Sequence, residues 1–223
     1  MKGCGNKIGP YDCCTIVTGD AKDLAPTIPD ESVDLIFTDP PYPYEYIECF
    51  TVLAIVAARI LKAGSFCLCY TGHHHFPEVF DRLREHLDYF WLGSINHPAS
   101  QRRDWLNHIF GGSKPLLFFS KGATTPMAWI CDTSTSIRDK RFHEWGQGAN
   151  VAEYYIARLS APGQLLWEPF CGGGTVPAVC KMLGRHYLAF EIDPEVAERA
   201  RERVRNTQPP LFVMEPEQAE FAT

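Results

Sequence analysis

Val33-Asp34-Leu35-Ile36-Phe37-Thr38-Asp39-Pro40-Pro41-Tyr42 decides how this chain is read. Its apolar, β-branched first half has the composition of a buried strand, and it ends abruptly in a carboxylate, two prolines and an aromatic ring. The prolines hold φ near about −65° and remove two N–H donors, so the backbone leaves the sheet on a fixed course with its carbonyls open to accept hydrogen bonds. A carboxylate, a carbonyl and a tyrosine ring then share one small space at the strand's carboxyl end, where open α/β sheets bind their ligands. Two acceptors beside a flat ring suit a planar substrate with an exocyclic NH2. One hydrogen goes to Asp39 and the other to a carbonyl at Pro40, while Tyr42 stacks on the ring. Both bonds weaken conjugation of the nitrogen lone pair with the ring and make the nitrogen nucleophilic. Taken alone, the four residues also describe a strand followed by a proline turn.

Outward from this stretch, strands and helices alternate. Thr15–Asp20 reads as a strand and turn, and Tyr46–Lys62 carries apolar residues at helical spacing, with Gly64 as its stop. Ser65–Tyr70, Tyr89–Ile95 and Pro115–Phe119 read as strands, and Phe76–Leu87 and Val151–Leu159 as helices. The alternation predicts an α/β fold with a mostly parallel sheet and helices on both faces. At 223 residues the chain is expected to be one domain over residues 1–223. No run of about 18 uncharged apolar residues is present, and the N-terminus shows no secretory pattern, so no membrane partner and a cytoplasmic location are expected.

Cys67 and Cys69 alternate with Phe66 and Leu68 and read as small buried hydrophobes, and Cys131 and Cys180 read the same way. Neither Cys13-Cys14 nor Cys67-x-Cys69 has the two-to-four-residue gap of a zinc knuckle, and His73-His74-His75 reads as a polar loop, so no metal site is expected. A net charge of −6 means that any nucleic-acid contact must come from a local cluster. Residues 97–145 lose clean periodicity and hold Arg102, Arg103, Trp105, Arg138, Lys140 and Arg141 among threonines and serines. They read either as a solvated surface or as a loop-rich segment that contacts phosphate and stacks on bases.

The second informative stretch begins with a strand, Gln164–Glu168. A turn, Pro169-Phe170-Cys171-Gly172-Gly173-Gly174, follows, then a helix over Thr175–Leu183, a strand over Tyr187–Glu191 that ends in an acid, and a charged helix over Pro194–Arg205. This is the logic of adenosine binding, in which glycines admit the ligand and the next strand's acid takes the ribose hydroxyls. Gly-x-Gly-x-x-Gly and Gly-Lys-Ser/Thr are both missing, and Glu168 precedes the glycines. An acid there repels phosphate and suits a cation, which favours S-adenosylmethionine, with its ammonium and sulfonium, over other adenosine compounds.

Asp39-Pro40-Pro41-Tyr42 resembles the catalytic tetrapeptide of the amino-group (N6-adenine/N4-cytosine) DNA methyltransferases, and Glu168–Thr175 resembles their cofactor loop, usually Asp-Pro-Phe-x-Gly-Ser-Gly-Thr. With the tetrapeptide first, the order is that of the circularly permuted β group. The resemblance spans most of Thr15–Arg205. It implies a Rossmann-like S-adenosylmethionine-dependent methyltransferase fold, double-stranded DNA as partner, a flipped target base and S-adenosylhomocysteine as product. Asp39, Pro40, Pro41 and Tyr42 would then be catalytic. Glu168 would hold the methionine amine and Phe170 would approach the sulfonium. Cys171, Gly172 and Gly174 would form the methionine cradle, and Thr175 would open the helix. Glu191 would bind the ribose, Ile192 or Asp193 would border the adenine, and Asp20 would meet the adenine amine. Glu in place of Asp at 168 and Gly in place of Ser at 173 depart from the pattern. His143–Gln147 resembles the segment that closes over the methionine end. Asp at the head of the tetrapeptide implies adenine, with cytosine N4 as alternative, and a non-catalytic nucleic-acid-binding subunit is the reading from another class. With only residues 97–145 left to read bases, a homodimer or loose sequence readout is expected.

Overall fold

The computed structural model describes residues 5–98, 102–104, 107–137 and 148–208. Its strands are β1 (Lys7–Ile8), β2 (Tyr11–Asp12), β3 (Thr15–Thr18), β4 (Val33–Thr38), β5 (Leu61–Tyr70), β6 (Asp88–Asn96), β7 (Arg102–Asp104), β8 (Ile109–Gly111), β9 (Ser113–Ser120), β10 (Thr133–Thr135), β11 (Leu165–Glu168) and β12 (His186–Glu191). The α-helices are α1 (Ala21–Leu24), α2 (Glu48–Ile60), α3 (Phe76–Arg84), α4 (Ala149–Leu159), α5 (Thr175–Leu183) and α6 (Pro194–Asn206).

Among the described residues eight strands make one sheet in the order β10-β6-β9-β5-β4-β11-β12-β3, and two short hairpins, β1–β2 and β7–β8, stand apart. Within that sheet β9 runs against its two neighbours, and the other described pairs are parallel. The sheet alternates with period two between two cores, which explains why its strands are apolar on both faces. Leu35, Phe37, Leu68, Tyr70, Phe118 and Ala189 face α4, α5 and α6. Ile36, Cys67, Cys69, Phe119, Leu188 and Phe190 face α1, α2 and α3. Cys67 and Cys69 are thus buried hydrophobes between sheet and helices, and burial pushes both thiols up. Among the described residues no helix is long and apolar enough to cross a membrane.

β4 is central, flanked by β5 and β11, and is held at both ends. At its start the half-buried Asp34 accepts from Lys62 Nζ at 2.6 Å and from the Leu165 N–H at 2.9 Å, so a charge inside an apolar strand is satisfied.

Three sequence expectations need correction. α2 stops at Ile60, not at Gly64, because Leu61 begins β5 and Gly64 sits within that strand at φ = 78° as a kink bonded to the Lys121 carbonyl. Thr133–Thr135, read as loop, is an edge strand parallel to β6; its three small polar residues carry no alternation to reveal it. The irregular stretch after His97 contains the β7–β8 hairpin, and His74 Nε2 lies 3.3 Å from Asp104, which ties the histidine loop to that hairpin.

Candidate active site

Because β4 and β11 are parallel neighbours, the loops that leave their carboxyl ends must diverge from adjacent points. Thr38, the last residue of β4, donates its hydroxyl to Glu168 Oε1 at 2.6 Å, and Glu168 is the last residue of β11. This one bond joins the two informative stretches. Above it opens a cleft whose lining includes Asp39, Tyr70, Glu168, Phe170, Gly172 and Thr175.

Glu168 is 3% exposed and also accepts from the Phe170 N–H at 3.0 Å. Burial raises its carboxyl most, the two hydrogen bonds lower it, and the negative Asp39 and Glu191 raise it further, so it is pushed up to about 8. A carboxyl that holds its proton at neutral pH beside two other acids is a site short of positive charge.

The glycine turn is held almost wholly by backbone. Cys171 N–H donates to the Phe190 carbonyl at 2.9 Å, Gly172 N–H to Glu191 Oε2 at 2.7 Å, and Gly174 N–H to the Cys171 carbonyl at 3.0 Å. Glu191 Oε1 accepts from the Asp193 N–H at 3.0 Å, so this acid braces the turn and the loop after its own strand together. Gly172 has φ = 50° with open space where a side chain would stand, whereas a Cβ on Gly174 would press Ala200 at 3.0 Å. The first glycine leaves room for a ligand and the second lets α6 approach. Arg203 of α6, buried, donates to the Gly173 carbonyl at 3.1 Å and to Thr175 Oγ1 at 2.8 Å. Sequence reading missed Arg203, since a basic residue in a charged helix gives no sign that it points inward.

On the other side of the cleft, Tyr42 donates its hydroxyl to Asp39 Oδ1. Burial and the adjacent Asp39 charge raise the phenol well above its usual range, which keeps it a donor. Lys114, from β9, lies 3.6 Å from Asp39 Oδ2, donates to Tyr42 Oη at 3.1 Å and stands 4.7 Å from the centre of its ring. Lys114 was also missed: it is one polar residue at a strand start, 72 positions beyond Tyr42. The Tyr70 hydroxyl is buried with no hydrogen-bond partner among the described residues, and Tyr70 lines the cleft.

The remaining expected site residues are spread along the same rim. Ile192 is 66% exposed beside Glu191. Asp193 caps α6, accepting from the Glu195 and Val196 N–H groups. Asp20 lies at the end of β3, and its carboxylate accepts from the Lys22 N–H at 2.9 Å, capping α1 outside the cleft lining. Arg103 is exposed, with its guanidinium 5.6 Å from the Phe110 ring centre. For Arg102 only the backbone is described; Trp105, Arg138, Lys140, Arg141 and His143–Gln147 lie outside the described residues.

A family model for DNA methylases, of the N6/N4 type, matches residues 101–202. The type II methyltransferase M.HinfI of Haemophilus influenzae is 24% identical over 87% of this chain and 69% of its own length. M.BamHI of Bacillus amyloliquefaciens is 24% identical over 90% of this chain and 60% of its own length. The chain thus spans between three fifths and seven tenths of these curated relatives. Among solved structures, the cytosine-N4-specific PvuII DNA methyltransferase superposes with a TM-score of 0.76 at 18% identity, covering 84% of this chain and 85% of its own. The M1.HpyAVI-SAM complex superposes with a TM-score of 0.72 at 18% identity, covering 85% of this chain and 98% of its own. The fold is the Rossmann-like fold of S-adenosylmethionine-dependent methyltransferases. The matches in sequence are likewise to DNA methyltransferases, and together they support the amino-group (N6/N4) DNA methyltransferase family for this chain.

Proposed function

We propose that this protein transfers a methyl group from S-adenosylmethionine to the N6 amino group of adenine in double-stranded DNA. The observation that carries the reading is the Thr38–Glu168 bond, which puts an amine-accepting corner and a cation-accepting cradle on one cleft. The cradle fits the cofactor on its own chemistry: a buried, proton-holding carboxyl flanked by two acids calls for a cation, and Gly172 leaves open space. Glu168 would take the ammonium, Phe170, Cys171, Gly172, Gly174 and Thr175 the methionine portion, Glu191 the ribose, and Ile192, Asp193 and Asp20 the adenine. When bound, the cofactor supplies an electrophilic methyl group.

Asp39 accepts one hydrogen of the target amine and a carbonyl at Pro40 the other, keeping the nitrogen lone pair directed into the cleft. The Tyr42 ring stacks on the extruded base, an interaction worth roughly 1–3 kcal/mol against the few kcal/mol that flipping costs. Tyr42 donates to one Asp39 oxygen and Lys114 stands 3.6 Å from the other, so the incoming amine shares this carboxylate with both or displaces one of them. After transfer Asp39 receives the proton that the methylated nitrogen sheds. Tyr70, buried with an unspent hydroxyl in the lining, is a further contact for the base or the cofactor.

Asp39 at the head of the tetrapeptide supports adenine. Cytosine N4 is the second reading, favoured by the likeness to the PvuII enzyme. Arg102, Arg103, Trp105, Arg138, Lys140 and Arg141 are proposed to contact DNA, within residues 97–145 of a single-domain chain. Nucleoside mass spectrometry of DNA incubated with methyl-labelled cofactor tests the reading. Labelled N6-methyldeoxyadenosine is expected; labelled N4-methyldeoxycytidine would replace adenine by cytosine, and unlabelled DNA would reject methyl transfer.

A further inference from the structure

At the opposite end of the sheet, Cys13, Cys14 and His186 bring two sulfurs and an imidazole nitrogen within 4.8 Å of one another. Cys13 Sγ is 3.6 Å from Cys14 Sγ, and Cys14 Sγ is 3.5 Å from His186 Nδ1. Tetrahedral zinc, with Zn–S of about 2.3 Å and Zn–N of about 2.0–2.1 Å, sets its sulfurs about 3.8 Å apart and sulfur and nitrogen about 3.5 Å apart. We propose that Cys13, Cys14 and His186 bind a structural zinc ion that fastens the N-terminal hairpin to β12.

Adjacent side chains in extended backbone point to opposite faces, so a vicinal pair does not normally share a ligand. Cys14 escapes this rule by taking φ = 61°, a left-handed conformation that few non-glycine residues adopt. Strain of this kind persists only where the surroundings enforce it and is a pointer to function. Here the backbone supplies the enforcement. Cys13 N–H donates to the Asn6 carbonyl at 3.0 Å, Cys14 N–H to the Tyr187 carbonyl at 2.8 Å, and His186 N–H to the Gln164 carbonyl at 2.8 Å. The main chain that carries all three ligand side chains is thereby held by hydrogen bonds. A cavity lined in part by Asn6, Lys7, Cys13 and His186 gives the ion a way in.

Two thiols and an imidazole select zinc over hard, oxygen-seeking cations, and its binding releases the two thiol protons to solvent. The fourth position would be taken by a water. His186 starts β12 and Glu191 ends it, so the ion would sit at the amino end of the sheet, about 17 Å of strand away from the cleft. Its role there is to hold structure.

The test uses the full chain purified without a histidine tag. Plasma mass spectrometry is expected to find about one zinc per chain, and replacement by Co2+ to produce a sulfur-to-cobalt charge-transfer band. Cys14→Ser and His186→Ala should each lose the band and most of the zinc, while Cys131→Ser, an exposed cysteine elsewhere, keeps both. Circular dichroism on each variant separates loss of metal from loss of fold, and the wild-type spectrum stands without any variant. Neither zinc nor a cobalt band in the wild type would overturn the proposal. So would a band that survives in both Cys14→Ser and His186→Ala.

Discussion

The two sides of the cleft are held in opposite ways. The glycine turn is fixed by its N–H bonds to the Phe190 carbonyl and the Glu191 carboxylate of β12 and by Arg203 of α6. The Asp39 corner is set by two side chains: Tyr42 donates to one carboxylate oxygen and Lys114 stands 3.6 Å from the other. One side is a rigid cradle and the other an exchangeable grip. The difference implies that damage to the two sides will be felt in different quantities.

The sharpest way to break this contrast is Asp39→Ala. Loss of the amine's acceptor is expected to lower the rate of methyl transfer about a thousandfold or more, while cofactor affinity by calorimetry changes by less than about threefold. Equal loss of both would mean that the two sides do not divide the work. Next in size is Glu168→Gln, which should weaken cofactor binding by about tenfold to a hundredfold, the loss of one charge-assisted hydrogen bond.

The same residue sets a pH dependence. Glu168 must shed its proton to meet a cation, so wild-type affinity should fall as pH drops below about 8. The Glu168→Gln variant should show a flatter profile. In the ligand-free protein the folded pKa lies above the unfolded value of about 4.3, so this group's contribution to stability is present in acid and lost as pH rises through about 8. Melting temperatures of wild type and Glu168→Gln should therefore converge in acid and separate towards pH 9, with the wild type the less stable.

Lys114→Met sharpens the exchangeable side. Removal of the cation beside Asp39 and Tyr42 is expected to change turnover by about threefold to thirtyfold and leave cofactor affinity nearly constant. The smallest effect belongs to the cradle's scaffold: Arg203→Met should lower the melting temperature by about 4–8 °C, for a loss of about 2 kcal/mol in a chain this size. Its cofactor affinity should fall only modestly.

What was legible beforehand follows the same division. Strands that are buried on both faces and glycines that must take positive φ leave marks in composition, so β4, β11, the turn and α5 were read almost to the residue. Lys114 and Arg203 left none, because each acts across the fold from an element whose own pattern is ordinary. β10 was hidden for another reason: an edge strand of Thr-Ser-Thr needs no hydrophobic face to be paired. The pairing of Cys13-Cys14 with His186 depends on β12 returning beside β3, 172 positions later, which no spacing rule anticipates. Gly64 misled because a glycine after a helix usually ends it, yet here it bends the following strand.

A crystal structure with S-adenosylhomocysteine bound tests the central claim most directly. The account predicts the amino end of the ligand on Glu168 and its sulfur facing the Asp39 carboxylate, with room between them for one methyl group and one amino nitrogen at near-attack spacing, about 3–3.5 Å. A ligand seated elsewhere, or in this cleft with its sulfur turned away from Asp39, would contradict it.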